Sequence, residues 1–201
     1  MISACMIVQD EEECLNRALN SIYDYVDEII IIDGGSVDKT REIALSYSKV
    51  KLYDIPFPGN FANQKNSAIE KASNDWILFL DADEYYDSYT MVNLQKLIDE
   101  NEYDAYAFSR KTFIDGVLLN LFDLDFQIRL FRNYCIYKDS KLGISEGIFG
   151  FKNLKHCNLD IKHYKRIEWQ QKDNELYWDM GIEPPKGWSK IDGKWTWNEP
   201  E

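Results

Sequence analysis

The sequence predicts an α/β fold: a mostly parallel sheet flanked by helices, followed by a mixed, aromatic-rich second half. Three observations predict it. Apolar, strand-forming runs alternate with segments of helical period through residues 1–100. Polar, acidic clusters end three of those four runs. Beyond residue 100 the alternation gives way to strand-like stretches separated by irregular, aromatic-rich loops. Strands alternating with helices imply right-handed crossovers and parallel pairing.

In order, residues 1–8 (MISACMIV) form a short apolar run and read as a buried strand. Residues 9–13 open a helix with Asp10, Glu11, Glu12 and Glu13 in its first turn, where the macrodipole favours acids. Leu15, Ala18, Leu19 and Ile22 follow at helical spacing and form its inner face. Residues 26–32 are a second strand, ended by Asp33-Gly34-Gly35-Ser36. A helix over 38–48 and a strand over 50–55 come next, then a loop marked by Pro56, Pro58 and Gly59. Residues 60–72 read as a helix with Phe61, Ala68, Ile69 and Ala72 inward, and 75–80 as a fourth strand ending in Asp81-Ala82-Asp83-Glu84. A helix near 91–99, strands over 104–112 and 126–131 that extend the sheet in mixed direction, and a terminal helix over 165–180 complete the reading. The tail 181–201 carries Trp188, Trp195 and Trp197 and is a hairpin or extended flap turning at Asp192-Gly193. Residues 1–180 are thus expected to be one domain, with halves 1–100 and 101–180 and a separate Trp-rich tail.

The net charge of −12 argues against a broad grip on nucleic acid or anionic lipid. An anionic ligand would need a cation or a few placed basic groups. Cys5, Cys14, Cys135 and Cys157 form no CxxC pair, so neither a zinc site nor a disulfide framework is expected, and Cys5 reads as a core residue. The first residues lack the pattern of a signal peptide, and no apolar run reaches membrane-spanning length. The expectation is a soluble, cytoplasmic protein.

In open parallel sheets, ligands bind beyond the C-terminal ends of the strands. The clusters Gln9-Asp10-Glu11, Asp33-Gly34-Gly35-Ser36 and Asp81-Ala82-Asp83-Glu84 all sit at such ends. In extended backbone Asp81 and Asp83 would point the same way roughly 6–7 Å apart and could share one Mg²⁺ or Mn²⁺. The plainer alternative is an acidic turn capping the next helix.

The segments ISACMIVQDEEECLNRALNSI, VDEIIIIDGGSVDKTREIA, NFANQKNSAIEKASNDWILFLDADE and FQIRLFRN, in this order and spacing, resemble family 2 glycosyltransferases of GT-A fold over about two thirds of the chain. The resemblance implies transfer of a sugar from a nucleotide-diphosphate donor, a UDP-sugar by preference, to an acceptor hydroxyl, with Mn²⁺ or Mg²⁺ and inversion. It implies a donor pocket of Gln9, Glu11, Asp33, Gly35, Lys65, Asp81 and Ala82, with Asp33 on the nucleoside and Lys65 reaching the nucleotide. Asp83 is the implied direct metal ligand, with Asp81 beside it and His163, in an HY context, completing the site. The implied base that deprotonates the acceptor is Glu146, which follows Ser145 where relatives carry His, or else Asp125 or Asp123. Asp38 either caps the helix after it or serves the site. Gln9-Asp10 stands where many relatives have Lys-Asn. Arg129 and Arg132 are read as sharing a strand face that offsets phosphate or acceptor charge, or as a solvated face; His156 reads as structural or exposed. The acceptor, whether a glycan, a protein, a lipid-linked or a small molecule, is left open, with nucleic acid disfavoured. The tryptophans, Trp178 included, form either a lid or acceptor platform, or packing against the domain or a second copy in a homo-oligomer. The rival functions are a nucleotidyltransferase, which would want a Gly-rich basic loop where Gln9 to Glu13 is acidic, and a nucleotide-sugar-binding module whose catalysis has decayed. A nicotinamide dehydrogenase is disfavoured by the missing GxGxxG.

Overall fold

The computed structural model describes residues 1–119, 125–139, 146–179 and 188–197. At its centre β1 (Ile2–Val8), β2 (Glu28–Asp33), β3 (Val50–Asp54) and β4 (Trp76–Phe79) run parallel in the spatial order β3-β2-β1-β4. Ile29 and Ile31 of β2 enter the apolar cluster on one face, Ile30 and Ile32 that on the other. β4 divides the same way, Trp76 and Leu78 against Ile77 and Phe79. Burial on both faces is why these runs are continuously apolar. The first face is covered by α1 (Leu15–Ile22), α2 (Thr40–Leu45) and α4 (Ser88–Glu100), through Leu15, Leu19, Ala44, Met91 and Leu94. The second is covered by α3 (Phe61–Lys71), through Ala62, Ala68 and Ile69. Burying each large aliphatic contributes about 1.5–3 kcal/mol.

Helix starts follow local chemistry. Asn60 and Asp87 cap α3 and α4, their side chains accepting from Asn63 N and Thr90 N at 2.8 Å each. The helix expected from residue 9 begins instead at Leu15, with no acid in its first turn. The N–H groups of Asp10, Glu11 and Glu12 donate to Ser36 Oγ, Thr40 Oγ1 and Asp38 Oδ2, while Val37 N and Lys39 N donate back to Asp10 Oδ1 and Glu12 Oε2. This strap between two loops satisfies N–H groups that a helix start would leave open. Phe61, expected inward, opens α3 and is 49% exposed.

The second half mixes directions, as expected. The sheet continues β8-β6-β11-β5, where β5 is Glu84–Tyr85, β6 is Ala105–Ile114, β8 is Phe126–Arg132 and β11 is Leu154–Lys165; β7 (Val117–Leu118) pairs β6. β8 is antiparallel to β4 and β6, β11 parallel to β6 and antiparallel to β5. β9 (Ile136–Asp139) and β10 (Glu146–Phe149) form a separate hairpin whose Tyr137 and Ile148 join the cluster under α3. β11 was not expected, although Cys157, Leu159, Ile161 and His163 are buried at every second position.

α5 (Ile167–Asp179) precedes the hairpin β12 (Trp188–Ile191) and β13 (Lys194–Trp197). Asp192 and Gly193 take φ of 49° and 78°, the two-residue turn expected there. Trp188 and Trp195 pack with Ile114 and Leu119. Trp195 Nε1 donates to Glu175 Oε2 and Gln171 Nε2 to Trp195 O, both at 2.7 Å, so this hairpin packs on the chain itself. Asp123, Ser145 and residues 181–187 and 198–201 of the tail lie outside the described residues. The four cysteines are buried and free. Among the described residues no helix is long and apolar enough to cross a membrane.

Candidate active site

The order β3-β2-β1-β4 reverses direction of travel at β1/β4, and a ligand crevice is expected beyond their C-terminal ends. A cavity of about 700 Å³ opens there. Gln9, Glu11, Lys65, Asp81, Ala82, Asp83, Asp125, Glu146 and His163 all line it. Asp33 and Gly35 do not. Asp33 is fully buried behind the wall, where its carboxylate accepts from Ser36 Oγ (2.6 Å), Ser36 N (3.0 Å) and Arg41 Nη1 (2.5 Å). Burial works against its ionisation, and these bonds outweigh burial and lower its pKa. Gly35 turns the chain at φ 111°. Asp38 accepts from Thr40 N, at the start of α2, and from Glu12 N, so it acts as a cap and a strap.

Asp81-Ala82-Asp83 is not extended. Glu84 N donates to Asp81 O at 3.0 Å and closes a turn, which sends the two carboxylates to different partners. Asp81 Oδ2 accepts from Arg129 Nη2 at 2.5 Å, and Lys65 Nζ lies 3.4 Å from Oδ1. Burial alone would raise the Asp81 pKa; the Arg129 and Lys65 charges hold it well below the carboxylate range. Lys65 is itself buried, which would lower its pKa, but Asp81 and Glu146 hold it raised. Its Nζ donates to Glu146 Oε1 at 2.5 Å.

Asp83 Oδ2 lies 2.9 Å from His163 Nε2, and His163 Nδ1 lies 3.0 Å from Thr112 Oγ1. Burial opposes the Asp83 charge and the His163 hydrogen bond favours it, with a net lowering of its pKa. The register of β11 makes this pair, setting His163 opposite Thr112 of β6 and Glu84 of β5. The pair suits a divalent cation: two neighbouring ligands of an octahedral ion, each at roughly 2.1 Å, stand about 3 Å apart. Among the described residues no group of three or more His, Cys, Asp or Glu side chains could hold a metal. The pair would supply two ligands, the usual protein share when phosphate oxygens and water supply the rest.

On the far side, Asp125 accepts from Arg110 Nε (2.8 Å) and Gln127 Nε2 (2.6 Å). Arg129 and Arg132 do not share a face. Three residues apart on a strand they point oppositely: Arg129 is buried against Asp81 and Glu84, while Arg132 lies 4.0 Å over the Trp76 ring. His156 is exposed, edge-on to Phe126. At Glu11, burial first and then the charges of Asp83 and Asp81 push the pKa up to about 7. A smaller acidic cavity adjoins there, lined by Asp10, Glu12, Glu13 and Asp38 with Lys165 and Trp169.

Sequence reasoning missed Gln64, Arg110, Thr112, Lys165 and the tilted ring pair Phe57–Phe61 (centroids 4.8 Å apart), all on the cavity wall. The period-two pattern ending in His163 was the one signal that pointed to any of them, since a strand there must lie beside another strand.

Comparison with known proteins bears on the family and the fold. The model of glycosyl transferase family 2 matches residues 3–154. A TPR repeat-containing protein of Synechococcus elongatus is 41% identical over 110 residues, covering 55% of this chain and 27% of that protein. An uncharacterized glycosyltransferase of Rickettsia bellii is 35% identical over 105 residues, 52% of this chain and 35% of that one. The chain thus spans only about a quarter to a third of these relatives. Among solved structures, S. aureus TarS 1-349 in complex with UDP aligns with TM-score 0.63 at 17% identity over 83% of this chain and 60% of that one. Glucosyl-3-phosphoglycerate synthase of Mycobacterium tuberculosis, in complex with Mn²⁺, UDP and glucosyl-3-phosphoglycerate, aligns with TM-score 0.58 at 17% identity over 98% and 86%. These likenesses give the GT-A fold. With three quarters of its residues matched by the family model, the chain belongs to glycosyl transferase family 2.

Proposed function

We propose that this chain moves a sugar from a nucleoside-diphosphate donor, a UDP-sugar by preference, to an acceptor hydroxyl, with inversion and with Mn²⁺ or Mg²⁺ held by Asp83 and His163. The observation that carries the reading is the Asp83–His163 pair, 2.9 Å apart, facing Lys65 and Asp81 across a cavity at the C-terminal ends of β1 and β4. UDP in the TarS and glucosyl-3-phosphoglycerate synthase structures, and Mn²⁺ in the latter, support the donor and the cation. The bound cation would supply Lewis-acid stabilisation of the departing diphosphate. Lys65 adds a fixed positive charge on the facing wall, the desolvation of its ammonium offset by its contacts with Asp81 and Glu146. Asp81, held between Arg129 and Lys65, is oriented to accept from a donor hydroxyl. The acceptor proton goes to Glu146 or Asp125, each of which must first loosen its cation, Lys65 or Arg110.

The test is turnover of a panel of UDP- and GDP-sugars by purified protein with and without Mn²⁺, read as nucleotide release. Asp83→Ala is expected to lose metal-dependent turnover by about 100-fold or more while its metal-free melting is retained. Undiminished turnover by that variant would sink the reading. Alanine variants of Glu146 and Asp125, compared at saturating donor, identify the base by the larger fall in kcat. Because both candidate bases are ion-paired, a binding module without catalysis is the second reading, and tight nucleotide-sugar binding without any release would favour it.

A further inference from the structure

We infer that Gln64, together with Gln9, reads the nucleobase of the donor by its carbonyl-next-to-N–H edge, the imide of uracil or the lactam of guanine. This rests on the donor reading above and names what selects the donor. Gln64 lies on α3 and is only 4% exposed, yet it lines the cavity. Among the described residues its carboxamide has no hydrogen-bond partner. Its amide atoms open onto the cavity rather than being sealed in the core, so a ligand entering there meets an N–H and a carbonyl that no described protein group already holds.

The backbone beside it has been cleared. A Cβ on Gly34 would stand 3.1 Å from Gln64 Nε2 and 3.1 Å from Gln9 Oε1. The left-handed φ at this turn belongs to Gly35, so at Gly34 it is space that a side chain would take, crowding the ends of Gln64 and Gln9. Its absent side chain lets a donor nitrogen and an acceptor oxygen stand side by side at the end of β2. A base edge carrying a carbonyl next to an N–H matches the polarity of that pair: Nε2 can donate to the carbonyl and Oε1 can accept from the N–H. Cytosine and adenine lack a carbonyl next to a ring N–H. Phe61, three residues before Gln64, shares its helix face and packs at a tilt of 45° against Phe57, which gives the same wall aromatic surface for a flat ring. The Asp83–His163 pair lies at the β5/β11 side of the cavity, where the diphosphate belongs, and leaves the β1/β2 side for the base.

The experiment is calorimetric titration of UDP, GDP, CDP and ADP, each with Mn²⁺, into the full chain, its Gln64→Ala variant and its Gln64→Glu variant, with thermal melts of all three. Wild type is expected to bind UDP or GDP most tightly, and the stronger of these two arms identifies the base. Gln64→Ala should weaken that nucleotide by about tenfold, one hydrogen bond's worth, and CDP and ADP by much less. Gln64→Glu, of the same shape but without the N–H donor, should reproduce the loss even if the alanine variant melts early. Equal weakening of all four nucleotides, or an unchanged preference in both variants, overturns the inference and leaves the donor reading standing. A wild type that binds none of the four overturns the donor reading and this inference with it.

Discussion

Glu11 shows how a single side chain is set by what it faces. Burial, then the Asp83 and Asp81 charges, push its pKa from 4.5 up to about 7. An acid whose folded pKa is raised destabilises the fold once ionised: the cost is absent below about pH 4.5, grows as pH rises, and is complete above about pH 7. Glu11→Gln should therefore stabilise the metal-free protein by on the order of 1–2 kcal/mol near pH 8 and by nothing near pH 4. Urea unfolding at the two pH values checks this, and equal effects at both would refute it. Asp33, Asp81 and Asp83 look alike in the sequence. Their roles diverge because one faces Arg41, one faces Arg129 with Lys65, and one faces His163. None of these partners except Arg41 is within a few turns of chain, so composition around each acid carried no hint of them.

At the scale of elements, one end of the sheet is stitched and the other is left open for chemistry. Glu28, at the start of β2, accepts from Ser3 Oγ of β1 (2.6 Å), Lys51 Nζ of β3 (2.6 Å) and Ser73 N and Oγ before β4 (2.7 Å each). Burial opposes its charge, but these bonds outweigh burial and lower its pKa from 4.5 to about 2. Its stabilising effect is thus complete above about pH 4.5 and is lost as pH falls toward 2. Glu28→Gln is expected to cost on the order of 2 kcal/mol at pH 7, with the gap to wild type closing in acid; a pH-independent gap in denaturant unfolding would contradict the assignment. The parallel strands and α3 were legible because a doubly buried strand and a capped helix advertise themselves locally. The start of α1 was not, since its competitor was a set of hydrogen bonds to a loop 26 to 29 residues away. β11 was legible in principle, through its alternation, and was overlooked because the polar positions between its buried ones include Asn158 and Asp160, residue types that favour turns.

For the molecule as a whole, two apolar clusters on the faces of one sheet carry the fold, and a third, smaller one ties the last hairpin to β6 and α5. Trp195, buried and bonded to Glu175, is the centre of that third cluster. Trp195→Ala is expected to release the hairpin, speeding tryptic cleavage at Lys190 and Lys194 about tenfold or more, because losing a buried tryptophan costs roughly 3–5 kcal/mol of local packing. The rest of the chain should keep its melting cooperativity; unchanged cleavage would show that the hairpin is held elsewhere. The sequence alone determined the parallel half of the sheet, the place of the acidic clusters at strand ends and the family, because strand period, caps and turn residues act over a few positions. Tertiary structure alone decided which clusters reach the cavity and which carboxylate meets which cation. Asp83 finds His163 across 80 residues only through the register of β11 on β5, and Asp81 parts from Asp83 only because the chain turns between them. Such pairings depend on register and turn direction between distant segments, and no local pattern encodes those.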